Sequence, residues 1–219
     1  PQDQLQSLVN LYSQGQLQQA LKQAETLVQQ FPQSATLFNI QGAVLKGLGQ
    51  LDASVEAYNK ALAIKPDYDD AFNNMGVTLQ EQGKLEGAIE AYNKALAIKP
   101  DYAEAYNNMG TTLQEQGKLE EAIEAYNKAL AIKPDYADAY YNMGNALKEQ
   151  GKLEEAIEAY NKALVIKPDY AEAYNNMGVT LKDQGKLEEA IEAYNKALVI
   201  KPDYAEAYNN MGVTLKDQG

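Results

Sequence analysis

Residues Ala103 to Tyr136 read AEAYNNMGTTLQEQGKLEEAIEAYNKALAIKPDY, and nearly the whole chain is this stretch written again with small edits. Proline recurs every 34 residues as Pro32, Pro66, Pro100, Pro134, Pro168 and Pro202. Glycine recurs in the same register as Gly15, Gly49, Gly83, Gly117, Gly151, Gly185 and Gly219. A fixed period of this length marks a solenoid, in which no unit buries its own apolar face and each is completed by its neighbours. The expected organisation is a single array of units 1–34, 35–68, 69–102, 103–136, 137–170 and 171–204, then a half unit, 205–219.

Within the quoted unit, Tyr106, Met109, Gly110 and Leu113 follow at spacings of three and four, which places them on one face of a helix. Gly117 ends that helix, because glycine tolerates the left-handed conformation of a tight turn. Leu119, Ala122, Ile123, Tyr126, Ala129 and Leu130 form the apolar stripe of a second helix. Pro134 stops it, since proline lacks an amide hydrogen and restricts the residue before it. Asp101 and Glu104, three apart, are expected to cap the first helix reciprocally. Gly110 and Ala122 are expected where the paired helices cross, and Tyr106 and Tyr126 in the space between units.

The 19 basic residues are all lysine, and the net charge is -12. A phosphate-backbone binder needs a positive face and usually arginine forks, so a nucleic-acid partner is not expected. The chain has no cysteine and no histidine. Disulfides, thiol chemistry, zinc sites of nitrogen and sulfur donors, and Ser-His triads are therefore excluded. The carboxylates recur identically in every unit, whereas an active site is a single constellation, so catalysis is not expected. No cofactor is implied, and acids such as Asp67, Asp69 and Asp70 would hold a cation only incidentally. No apolar run approaches a membrane span. A soluble, cytoplasmic setting is favoured, and Pro1 suggests a piece of something longer.

The aromatic, the Met-Gly pair three on, and the later Ala, Tyr, Ala and Pro resemble the tetratricopeptide repeat. Tyrosine stands in that family's tryptophan place, methionine in its leucine place, and Leu79, Leu113, Leu147 and Leu181 in its first-helix tyrosine place. The resemblance covers residues 35 to 219 closely and 1 to 34 loosely. It implies an all-α, right-handed superhelical solenoid of antiparallel helix pairs, with first helices lining a concave groove. It also implies a binding scaffold. The first unit, with Leu8 in the glycine place and many glutamines, reads as an N-terminal cap. In the half unit, Met211 and Leu215 lack a second helix, which predicts end-to-end or helix-exchange contact between chains.

Opposite the packed stripe, Glu104, Asn108, Thr111 and Glu115 fall at spacings of four, three and four. The centre of that stripe is Asn74, Asn108, Asn142, Asn176 and Asn210, preceded by Asn73, Asn107, Tyr141 and Asn175. Gln6 and Ile40 break the row in the first two units. An amide carries two donors and an acceptor, so a row of amides can grip a peptide backbone of any sequence. The row is similar to the asparagine ladder in the repeat arm of O-linked N-acetylglucosamine transferases, where the ladder holds substrate polypeptide. Asn145, Lys148 and Lys182 vary along the same face. Acids border it through Asp70, Glu104, Asp138, Glu172 and Glu206, and through Glu81, Glu115, Glu149, Asp183 and Asp217. The expected partner is therefore an extended protein segment, neutral or basic rather than acidic. The alternatives are the substrate-recognition arm of a larger glycosyl- or sulfotransferase, and an idealised array with no dedicated partner.

Overall fold

The computed structural model describes residues 2–219. They form helices joined by short turns: α1 Gln2–Ser13, α2 Leu17–Gln30, α3 Ala35–Gly47, α4 Leu51–Ile64, α5 Asp69–Glu81, α6 Leu85–Ile98, α7 Ala103–Glu115, α8 Leu119–Ile132, α9 Ala137–Glu149, α10 Leu153–Ile166, α11 Ala171–Asp183, α12 Leu187–Ile200 and α13 Ala205–Gln218. The described residues contain no strand. Helices packed along their length across three-residue turns run antiparallel, so the fold is an all-α solenoid of helix pairs. The chain divides into two compact blocks, Pro1–Thr112 and Leu113–Gly219, with the boundary inside α7.

The turn inside each pair follows from one glycine. Gly117 has φ +75°, and Gly151 and Gly185 have φ +77°. Gly117 N–H donates to the Gln114 carbonyl at 2.8 Å and Lys118 N–H to the Leu113 carbonyl at 2.9 Å. These two bonds are the Schellman closure, which satisfies carbonyls left over at the helix end. The turn between pairs follows from proline. Lys133, before Pro134, is pushed to φ -127°, ψ 88°, outside the helical region.

A glycine just past the middle of α5, α9 and α11 makes room for a ring rather than for a backbone. A Cβ built on Gly76, Gly144 or Gly178 would lie 2.6 Å from Cε1 of Tyr92, Tyr160 or Tyr194 respectively. Those tyrosines are wholly buried, each against the glycine of its own pair. The first pair reverses the sizes: Leu8 takes the glycine place and Ala24 the tyrosine place, and both are fully buried with Leu27, Leu37 and Val44. One large and one small residue fill the crossing either way.

The expected carboxylate caps are not formed. The place before the first helix is Tyr68, Tyr136, Tyr170 or Tyr204, with no side-chain capping bond. Asp101 stands two residues ahead of α7 and makes no side-chain hydrogen bond to its first turn. Glu104 and its equivalents Glu172 and Glu206 lie inside the first turn, where their charge favours the positive end of the helix dipole. A serine does cap α3, as Leu37 N–H donates to Ser34 Oγ at 3.4 Å.

Candidate functional site: an amide row on the first helices

The asparagines meet one another across neighbouring units. In the first block, Asn74 Nδ2 donates to Asn39 Oδ1 at 3.2 Å, and Asn108 Nδ2 to Asn73 Oδ1 at 3.1 Å. In the second block, Asn210 Nδ2 donates to Asn175 Oδ1 at 3.0 Å. Asn176 Nδ2 donates to the Tyr141 hydroxyl at 3.0 Å and to Asn145 Oδ1 at 2.9 Å. Asn39 is a member that sequence reasoning missed, though it stands 34 residues before Asn73.

The two asparagines of a unit have different roles. Asn73, Asn107 and Asn175 are buried, whereas Asn74, Asn108, Asn142, Asn176 and Asn210 are partly exposed. Tyr141, Asn145, Lys148 and Lys182 are partly exposed on the same helices. A buried carbonyl such as that of Asn73 would be costly without a donor, and the next unit's asparagine supplies it. In return, the exposed amide is held in one orientation. Asn74, Asn108 and Asn210 each commit one N–H, which leaves the second N–H and the side-chain carbonyl oxygen uncommitted.

A second set of links runs near the other end of the first helices. Lys46 pairs with Glu81 at 3.2 Å, and Lys182 with Asp217 at 3.4 Å. Gln114 Nε2 donates to Glu149 Oε1 at 2.5 Å. Lys148 makes no ion pair among the described residues. At the N-terminal edge, the Tyr102 hydroxyl donates to Asp70 at 2.9 Å, and Asn175 Nδ2 to Glu206 at 3.1 Å.

Burial keeps several tyrosine hydroxyls protonated. Desolvation, more than any other cause, drives Tyr58, Tyr102, Tyr160 and Tyr170 far above the usual phenol range. Desolvation and the nearby Glu206 and Glu172 carboxylates push Tyr204 up to about 12. These groups act as hydrogen-bond donors at neutral pH and are poorly tuned for proton transfer there. No group of three or more acidic side chains that could hold a metal ion occurs among the described residues.

The TPR repeat pattern matches residues 42–83, 79–117, 112–151, 144–185 and 180–219, and a second tetratricopeptide repeat pattern matches 5–34. The chain belongs to the tetratricopeptide repeat family. Among solved structures, it is similar to MamA, with 32% identity, 75% of this chain and 96% of that chain covered, and a TM-score of 0.68. It shares its fold with YrrB, described as "a TPR protein with an unusual peptide-binding site", at 22% identity, 85% and 96% coverage, and a TM-score of 0.65. It also shares it with PilW, a type IV pilus biogenesis factor, at 21% identity, 95% and 96% coverage, and a TM-score of 0.87. No curated protein sequence matches the chain. The family and its relatives support a protein-interaction scaffold. No helix is long and apolar enough to cross a membrane.

Proposed function

We propose that the first-helix face holds an extended segment of another protein by its backbone. The observation that carries this reading is the oriented amide of Asn74, Asn108 and Asn210, each with one N–H and one carbonyl oxygen uncommitted. The inner asparagine fixes the outer one before any ligand arrives, so little ordering cost remains for the side chains. Each amide contact contributes about 1 kcal/mol net, while ordering an extended segment costs about 2 to 5 kcal/mol. Several contacts are therefore needed at once, and successive first helices within a block supply them. The arrangement resembles the asparagine ladder of the glycosyltransferase repeat arm. YrrB, with the same fold, is itself described by its peptide-binding site.

The bordering acids and the net charge of -12 favour a neutral or basic segment. Catalysis has no place in this reading. The test is a peptide-array screen with the whole chain and with Asn74, Asn108 and Asn210 changed together to alanine. Binding of extended neutral or basic peptides, lost or cut at least about tenfold in the variant, supports the reading. Retention of every binder in the variant overturns it.

Self-association is a separate part of the proposal. In α13, Tyr208 is 52% and Leu215 47% exposed, and a Cβ on Gly212 would meet nothing within 4 Å. These three lie on the face that packs against a second helix in other units, whereas Met211 packs against the buried cluster of Tyr194 and Leu181. The association strip is thus centred on Tyr208 and Leu215, with Met211 beneath it. Light scattering that finds only monomer at high concentration would remove this part.

A further inference from the structure

A row of identical amides can hold a backbone but cannot set its register, because each unit offers the same contacts as the next. One place in the second block differs. Where α5, α7 and α11 carry Asn73, Asn107 and Asn175, α9 carries Tyr141. Four residues on, Asn145 replaces the valine or threonine of the other units from Asp69 onward.

The substitution builds a fixed, partly exposed ring. The centroid of Tyr141 lies 4.9 Å from that of Tyr170, with the planes at 37°, and 6.2 Å from that of Tyr160. Asn176 donates to the Tyr141 hydroxyl at 3.0 Å. Asn145 Oδ1 accepts from Asn176 at 2.9 Å and from the Tyr160 hydroxyl at 2.8 Å. The ring is therefore pinned on its hydroxyl and on its neighbours.

Carboxylates act on this ring and on its aromatic neighbours. Glu172 and Glu206 act on the Tyr141 hydroxyl, Asp138 and Glu172 on Tyr170, and Glu206 and Glu172 on Tyr204. Glu206 accepts from Asn175, and Glu172 has only a loose contact with Lys201 at 3.9 Å. The lysine on the same helix, Lys148, stands seven residues on, about 10 Å along the axis. The molecule already uses tyrosine faces for cations nearby: Lys167 Nζ lies 4.1 Å from the Tyr170 centroid and Lys201 Nζ 4.7 Å from that of Tyr204. Among the described residues no lysine lies over Tyr141.

We infer that Tyr141, linked to Glu206 by the hydrogen bonds of Asn175 and Asn176, is a subsite for one basic side chain, guanidinium or ammonium, and so fixes the register of a bound segment. A cation over the ring is attracted by its quadrupole, and the Glu172 and Glu206 carboxylates add ordinary Coulomb attraction. The inference rests on the extended-segment reading for the source of that side chain. The chemistry of the subsite does not.

The experiment separates the two. The whole chain, labelled with 13C in its tyrosine rings, is titrated with Nα-acetyl-arginine methylamide and with the alanine compound, and followed by NMR. Tyr141→Phe identifies the ring signal. Saturable shifts at Tyr141 and Tyr170, with the arginine compound at least about threefold tighter than the alanine compound, are expected. Tyr141→Asn, which restores the residue of the other units, should abolish that preference, while Tyr141→Phe, which keeps the ring, should hold it within about twofold. Melting by circular dichroism checks that both variants fold. Equal response to both compounds, or an arginine preference that survives in Tyr141→Asn, overturns the subsite. Arginine binding at Tyr141 in a chain that takes up no peptide overturns the extended-segment reading and leaves the subsite standing. Peptide binding without arginine preference does the reverse.

Discussion

Gly144 and Gly212 occupy the same place in two units with the same local sequence, Met-Gly, yet alanine should act on them in opposite directions. At Gly144 a Cβ would lie 2.6 Å from Tyr160 Cε1, 2.8 Å from Cδ1 and 3.1 Å from Cζ. Tyr160 has no exposed surface and its hydroxyl is bonded to Asn145, so the ring has nowhere to retreat. Overpacking of this kind costs about 1 to 3 kcal/mol. Replacing a helical glycine by alanine returns about 1 kcal/mol through backbone entropy. The net expectation for Gly144→Ala is a loss of about 0 to 2 kcal/mol. At Gly212 nothing stands within 4 Å, so only the gain of about 1 kcal/mol remains. The propensity gain cancels between the two variants, and the difference of about 1 to 3 kcal/mol isolates the clash. Solenoids open unit by unit, so amide hydrogen exchange, read locally in α9 and α10 and in α13, is the appropriate assay. Exchange should quicken or stay level in Gly144→Ala and slow about fivefold in Gly212→Ala. A Gly144→Leu, Tyr160→Ala double variant, which copies Leu8 and Ala24, should recover part of any loss. If Gly144→Ala slows exchange as Gly212→Ala does, the ring-on-glycine packing is refuted.

Other consequences follow from the same contacts. Asn108→Ala removes the only hydrogen-bond donor to the buried Asn73 Oδ1 among the described residues and should cost about 1 to 3 kcal/mol in urea denaturation, more than an exposed asparagine would. Ser34→Ala should destabilise α3 by about 1 kcal/mol, whereas Asp101→Ala, two residues ahead of its helix, should change exchange in α7 by less than about 0.5 kcal/mol. Tyr58, Tyr102, Tyr141, Tyr160, Tyr170, Tyr194 and Tyr204 have pKa values raised in the fold, so at these residues the folded chain keeps protons that the unfolded chain releases. Stability is then full below the ordinary phenol value of 10.0 and declines from there through the raised value of about 12 at Tyr204. Ionisation of these seven tyrosines, followed by 13C NMR of their rings, should therefore coincide with loss of helicity on alkaline titration; their ionisation while helicity is intact would contradict this.

The period, the helix pairs and both kinds of turn were legible in the sequence, because glycine and proline each enforce a backbone state that the structure then displays at Gly117 and Lys133. The swap of Leu8 and Ala24 for glycine and tyrosine was also present in the letters, but its meaning needs the crossing geometry. The amide row was legible as a row and not as a bonded network. A repeat of 34 says which residues are equivalent; the bonds join residues 35 apart, as Asn73 to Asn108 and Asn175 to Asn210. That offset comes from the way one pair leans on the next, so the burial of Asn73 and the membership of Asn39 were hidden. The cap assignment failed because Asp and Glu three apart fit a capping box, while the helix starts one residue later than that box requires.

Peptide binding is tested most directly at the uncommitted amides. With a peptide recovered from the array bound to the 15N-labelled chain, the side-chain NH2 signals of Asn74, Asn108 and Asn210 should shift saturably. A peptide of the same composition in scrambled order should shift them with similar amplitude, since the amides grip backbone. Saturable binding with those side-chain signals unmoved, and shifts confined to the second helices, would contradict the claim that the amide row holds the segment.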